Sequence, residues 1–283
     1  MANNDPFSSC AAALRQFDPD RYLTALFAPP ARRDALFALY AFNLEIARIP
    51  EATSEPLIGE IRLQWWRDAL AGAYEGATPR HHGVAEPLHR TIAAHGLSQC
   101  HFDRLLDARS FDQARRPPAT LAELEAYAKA TSGGLQLLAL EILGVRANPD
   151  AERAASEIGT AWALTGLLRA VPFHGRAGRL YLPDDLLAAA GSSAATLPLD
   201  RGSPAMAAVA ARLAEAARAA LERGREKGDL PSETHPALLL GALADRYLAR
   251  LASARYDLFD ARMARPLPFR EVRLWLRARK GKY

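Results

Sequence analysis

Aspartate, glutamate and histidine are the side chains with which this 283-residue chain could hold a metal ion or move a proton. Asp103 and Asp107 form a D-x-x-x-D spacing that sets two hard oxygen donors on one helix face, a pattern suited to magnesium. Asp184 and Asp185 follow Pro183 where a helix would start, a place the helix dipole favours for acids without any ligand. Ordinary solvent-facing charge accounts for both pairs, because acids are rarely buried. His81, His82, His89, His95 and His101 crowd one stretch, yet no two stand at the i, i+4 spacing of a zinc-binding helix. No metal site and no cofactor are therefore expected. Among the cations, Arg48, Arg169 and Arg179 suit bidentate contact with a phosphate. The competing expectation pairs Arg48 with Glu45 or Glu51, and Arg169 with a buried acid.

The elements that would position these groups read as helices almost throughout. Asp18-Pro19 is a cap followed by a favoured first-turn proline, and Pro29-Pro30 closes the short helix that begins there. Leu36, Phe37, Leu39, Tyr40 and Leu44 recur at three- and four-residue steps. A Thr53-Ser54 cap then opens a segment through Trp65, Trp66 and Leu70. Thr120 and Glu123 form a capping box, and Asn148-Pro149 starts a long helix through Trp162 and Leu168. Helical runs return over residues 204–221 and 235–251, with residues 191–203 as the loop between patterns. No alternating strand pattern appears, so the fold class is all-α. The domain plan is an N-terminal tail and first helix over 1–17, one domain over 18–260, and a basic amphipathic tail over 261–283 packed on or near it.

Composition narrows the classes further. Hydrophobic residues make up 49% of the chain, enough to bury a sizeable single core. No run approaches a membrane span, and residues 1–9 lack the basic and apolar regions of a signal peptide and read as a frayed tail. Two isolated cysteines, Cys10 and Cys100, fit a reducing compartment, and the expected location is cytoplasmic. Net charge is +4, with much of the surplus late: six cations from Arg270 to Lys282 face Glu271 alone. Two readings stand for this ending. In the first, Trp275 docks a last helix and the cations are solvated; in the second, Phe269, Val272, Trp275 and Leu276 rest on an anionic membrane face. Nucleic acid is excluded as a partner, since no recognised motif accompanies the charge.

Several blocks, in this order and spacing, resemble the squalene/phytoene synthase family. They are residues 22–33 (YLTALFAPPARR) with 38–42 (ALYAF), 65–68 (WWRD), 127–134 (YAKATSGG), and 158–169 followed by 178–183 (GRLYLP). The resemblance covers residues 22–250 and implies an isoprenoid-synthase fold, a helical barrel around an apolar cavity. In catalytic members two aspartate motifs hold magnesium ions that grip prenyl diphosphates and stabilise the departing negative charge.

Laid on that pattern, the first motif falls on Ala47, Arg48 and Glu51, and the site's side-chain charge moves from about −3 to about 0 at neutral pH. Pro50 also ends or kinks the motif helix. The second motif falls on Ala170 and His174, with Ala163 and Gly166 ahead of it, while Arg169, Arg179 and Tyr181 survive. Imidazole is a poor magnesium ligand, so catalytic residues are expected to be absent. Phosphate or lipid binding would then rest on Arg48, Arg169, Arg179, Tyr181 and Tyr40. Residues 41–45 (AFNLE), 59–66 (GEIRLQWW), 140–144 (LEILG) and 168–175 (LRAVPFHG) resemble the branch that contains the mitochondrial complex I assembly factor. By analogy the function is a non-catalytic assembly or chaperone-like one, with a complex I subunit or assembly protein as partner. The alternatives are head-to-head prenyl transfer with magnesium, and storage of a prenyl lipid in the cavity.

Overall fold

The computed structural model describes residues 6–283 except Ser54, Lys227 and Asp229, and contains helices and turns but no strand among them. The first half runs α1 (Pro6–Phe17), α2 (Pro19–Ala25), α3 (Pro30–Ala47), α4 (Ile49–Ala52), α5 (Pro56–Tyr74), α6 (Ala85–His95) and α7 (Gln99–Ser110). The second half runs α8 (Leu121–Ala128), α9 (Gly134–Leu143), α10 (Pro149–Arg176), α11 (Asp184–Ala189), α12 (Pro204–Gly224), α13 (His235–Leu238), α14 (Leu240–Ser253) and α15 (Arg270–Arg279).

The caps read from sequence hold the ends of the central helices. Asp18 accepts from the Arg21 amide at 3.2 Å and Asn148 from the Ala151 amide at 2.9 Å. Thr120 accepts from the Glu123 amide, while Glu123 turns back to the Ala119 amide at 2.6 Å, one residue before the usual capping-box partner. Asp185 accepts from the Leu121 amide at 3.2 Å, so it caps the start of α8 across the fold. Asp103 and Asp107 are both exposed, and Asp107 pairs with Arg67.

Four expectations are corrected. Glu55, not the Thr53-Ser54 pair, precedes α5; Thr53 bonds back to the Ile49 carbonyl, and Ser54 lies outside the described residues. The frayed-tail reading fails over residues 6–9, which belong to α1, and residues 1–5 lie outside the described ones. Pro29 and Pro30 begin α3 rather than end α2, because a proline in the first turn forfeits only an amide that has no helical partner. The helix expected over 235–251 breaks at Leu239 into α13 and α14.

α10 is the axis of the core. It packs on α12 and α14 along one side, and on α9 and the turn before it on the other. That turn, Lys129–Gly133, is a π-helical widening between α8 and α9. Close approach makes it possible: a Cβ on Gly159 of α10 would stand 2.5 Å from the Ser132 carbonyl oxygen, so only glycine fits. The widening turns Thr131 and Ser132 toward the interior. On the far side, Phe42 of α3 sits edge-on to Trp66 and Phe102, with ring centroids 5.0 and 5.5 Å away. Edge-to-face rings of this kind add about 0.5–1.5 kcal/mol to their burial.

Candidate functional site

The ends of these helices enclose a cavity of about 540 Å³, lined from α3 and α4 by Asn43, Ala47, Arg48 and Glu51, and from α10 by Trp162, Gly166, Ala170 and His174. Arg109, Tyr127, Thr131, Ser132, Arg179 and Tyr181 close it. α3 stops at Ala47, and Pro50 falls in the first turn of α4, so the chain bends at the motif position as the proline predicts. α10, by contrast, runs through Pro172 and carries Ala170 and His174 on one continuous helix.

The structure gathers Ala47, Arg48, Glu51, Ala170, His174, Arg179 and Tyr181 on this one surface, while Tyr40 and Arg169 are not on it. Tyr40 is buried behind the wall, 3.5 Å from the Gln136 side-chain oxygen, and burial pushes its hydroxyl up to about 12. Arg169 turns away and lays its guanidinium 3.6 Å from the centre of the Tyr247 ring. There Asp20, itself buried, accepts from the Tyr247 hydroxyl at 2.9 Å and from Arg270 at 3.0 Å, with Arg169 at 3.7 Å. This is the buried acid expected for Arg169.

Sequence reasoning missed Arg21, Arg109 and Asp112. Asp112 accepts from the hydroxyls of Tyr127 at 2.9 Å and Tyr181 at 2.7 Å, and pairs with Arg109 at 3.2 Å. Burial, then the Asp112 charge, pushes the Tyr181 phenol far above its ordinary range. Tyr127 stood in the YAKATSGG block, but nothing local marks Asp112 as its partner.

Charge within the cavity follows a simple pattern. Arg21 pairs with Asp18 at 2.9 Å, Arg48 with Glu51 at 3.5 Å while lying over the Phe17 ring, and Arg109 with Asp112. Arg179 is the cation without a carboxylate among the described lining residues. It is only 4% exposed, and its Nε and Nη2 find no acceptor in the protein. Its neighbour His174 is pushed down to about 4, first by burial and then by the charges of Arg179 and Arg109, so the imidazole is neutral at pH 7. Beside this cavity lies a second hollow where Glu45 is pushed up to about 7 by burial. Its neighbour His82 is lowered by the same cause, so their 3.6 Å contact is not a full ion pair near neutrality.

Magnesium, which the fold implies, does not fit this donor set. Glu51 and Asp18 are committed to arginines, Asp112 to two tyrosines and Arg109, and no group of three metal-ligating side chains occurs among the described residues. A divalent cation would meet four guanidinium groups at the wall. What the wall presents instead is positive charge, with Arg179 the unneutralised donor and Tyr181 and neutral His174 beside it.

An all-helical barrel with its cavity at the helix ends is the architecture of isoprenoid synthases. A solved dehydrosqualene synthase in complex with ligand superimposes with a TM-score of 0.83 at 21% identity, covering 98% of this chain and 96% of that one. The squalene/phytoene synthase family model matches residues 14–271, and the chain belongs to that family. Complex I assembly factor 6 of Bos taurus is 30% identical over 275 residues, 97% of this chain and 82% of its own length. The presqualene diphosphate synthase of Rhodopseudomonas palustris is 29% identical over 203 residues, 70% of each chain. An assembly factor and a prenyl-diphosphate synthase are thus both among the proteins similar to this chain.

Proposed function

We propose that this protein is a non-catalytic member of the family that assists assembly of respiratory complex I, with a complex I subunit or another assembly protein as its partner. The observation that supports the reading is the cavity wall: it is lined by Ala47, Arg48, Ala170 and His174, the positions to which the family resemblance assigns the aspartates of catalytic members, and its acids Asp18 and Glu51 are paired with arginines. The near full-length similarity to a complex I assembly factor supports the same reading. Without a cluster of carboxylates, nothing draws magnesium to a diphosphate leaving group, and ionisation to an allylic cation loses its main electrostatic support. The working location is the cytoplasm, at the inner face of the membrane that holds complex I.

Deleting the gene and resolving complex I on native gels tests this. Assembled complex should fall and return with the wild-type gene; normal assembly in the deletion strain refutes the proposal. Purified protein incubated with farnesyl or geranylgeranyl diphosphate and magnesium should release no diphosphate above a no-enzyme control. Release would restore the prenyl-transferase reading.

The unpaired Arg179 favours one addition, that the cavity holds the anionic head of a lipid such as a prenyl phosphate without turning it over. Native mass spectrometry of the purified protein should then show a co-purified lipid of that class, and an empty cavity would count against it.

A further inference from the structure

The C-terminal helix does not dock as its sequence suggests. Leu274 is the buried contact at 1% exposure, while Trp275 is 50% exposed, which corrects the expectation that the tryptophan anchors the helix. Arg270 reaches in to Asp20 beside Leu274, so that face of α15 is fixed against α14 and α2. Phe269, at the N-cap just outside the helix, is exposed together with Val272 and Leu276, which at roughly 100° per residue point about 160° away from Leu274. They are 74%, 56% and 45% exposed. With the half-exposed Trp275 they make an outward apolar patch on an otherwise polar surface, the kind of patch that marks an interaction site.

The flanks say what that is. Arg273, Arg277 and Lys280 form a stripe along one side of the apolar face, and with Arg246 and Lys282 they ring a pocket of about 410 Å³. Its floor is apolar, made by Ala242, Leu243 and Leu267. None of these five cations has an ion-pair partner among the described residues, and Glu271, the one acid on the helix, is held by Arg270. On the other flank the Arg279 guanidinium lies 5.2 Å from the Trp275 ring. An outward apolar ridge between a basic stripe and a tryptophan–arginine pair matches a bilayer interface: acyl chains for the ridge, anionic head groups for the cations.

We propose that α15 and the pocket beside it form a docking surface for an anionic lipid bilayer, with a phosphate-bearing head group seated among Arg246, Arg273, Arg277 and Lys280. No helix among the described residues is long and apolar enough to cross a membrane, so the contact is peripheral. It stands on the C-terminal surface alone and does not depend on the reading of the cavity.

Co-sedimentation of the full chain with vesicles tests it, using phosphatidylcholine alone and a 70:30 phosphatidylcholine:phosphatidylglycerol mixture at about 0.1 M salt. Wild type should partition at least about tenfold better onto the anionic vesicles. Each cation near such a surface is worth about fivefold, so R273A/R277A/K280A should lower binding on the order of 100-fold. V272S/L276S, which removes apolar contact from exposed positions, should lower it about tenfold. No wild-type preference for anionic vesicles overturns the proposal, and that arm needs no variant to fold. Full binding by the triple variant also overturns it. Loss with the cations but none with V272S/L276S would overturn the contact of the apolar ridge with acyl chains.

Discussion

Arg179 gives the sharpest test, because the cavity reading makes stability and binding move in opposite directions. Replacing it with methionine keeps the stem and removes a buried charge that has no carboxylate. Two guanidinium nitrogens without acceptors cost about 1–3 kcal/mol each when left buried. Exchanging buried charge for well-packed apolar volume commonly stabilises by about 1–4 kcal/mol. At about 2.1 cal/mol/K per residue the unfolding entropy of a chain this size is near 0.6 kcal/mol/K. R179M should therefore raise the melting temperature by about 2–7 °C. The assay is thermal unfolding with and without inorganic pyrophosphate, in the absence of magnesium. At 100 times its dissociation constant, pyrophosphate should stabilise wild type by about 2.7 kcal/mol, or 4–5 °C, and leave R179M unmoved. A melting temperature lowered by R179M, with wild type indifferent to pyrophosphate, would refute the reasoning: Arg179 would then be a packing residue.

Other outcomes follow from neighbouring features. D20N should cost about 3–5 kcal/mol, read as a melting temperature 5–8 °C lower, because it removes the buried counter-charge that Arg169 and Arg270 share and leaves only the exposed Glu271 beside Arg270; a change under about 1 kcal/mol would show that solvent screens the cluster. G159A and G166A should differ in sign. The first drives a Cβ into the Ser132 and Gly133 backbone and should lose about 1–3 kcal/mol, whereas the second meets open space in the same helix and should gain up to about 1 kcal/mol. For His174, the folded value near 4 lies below the unfolded value of about 6.5, so the fold favours the neutral ring. Its contribution to stability is whole above pH 6.5 and drains away as pH falls toward 4; H174Q should flatten that part of the stability–pH curve. An imidazole proton titrating near 4 by NMR, and moving upward when pyrophosphate binds, would tie the same residue to the anion.

Much of the cavity was legible in the chain because its carriers lie on local patterns. Arg48 and Glu51 are one turn apart, and Ala170 and His174 share a helix face, so spacing alone brings each pair together. Asp112 was not legible. It lies in a single 3₁₀ turn, Phe111–Gln113, after α7, and its partners Tyr127 and Tyr181 come from 15 and 69 residues away. Arg169 and Arg179 look alike in sequence, yet one stacks on Tyr247 against Asp20 and the other faces the cavity without a partner.

The sequence by itself determined the helices, most of their caps, the bend at Pro50 and the family, because 3.6-residue periodicity, side-chain caps and proline geometry act over a few neighbouring residues. Only the tertiary structure decided which cations are neutralised and which face of α15 meets solvent. Those outcomes depend on contacts such as Asp20 with Arg270, 250 residues apart in the chain. They also depend on desolvation, which exists only once the helices have packed.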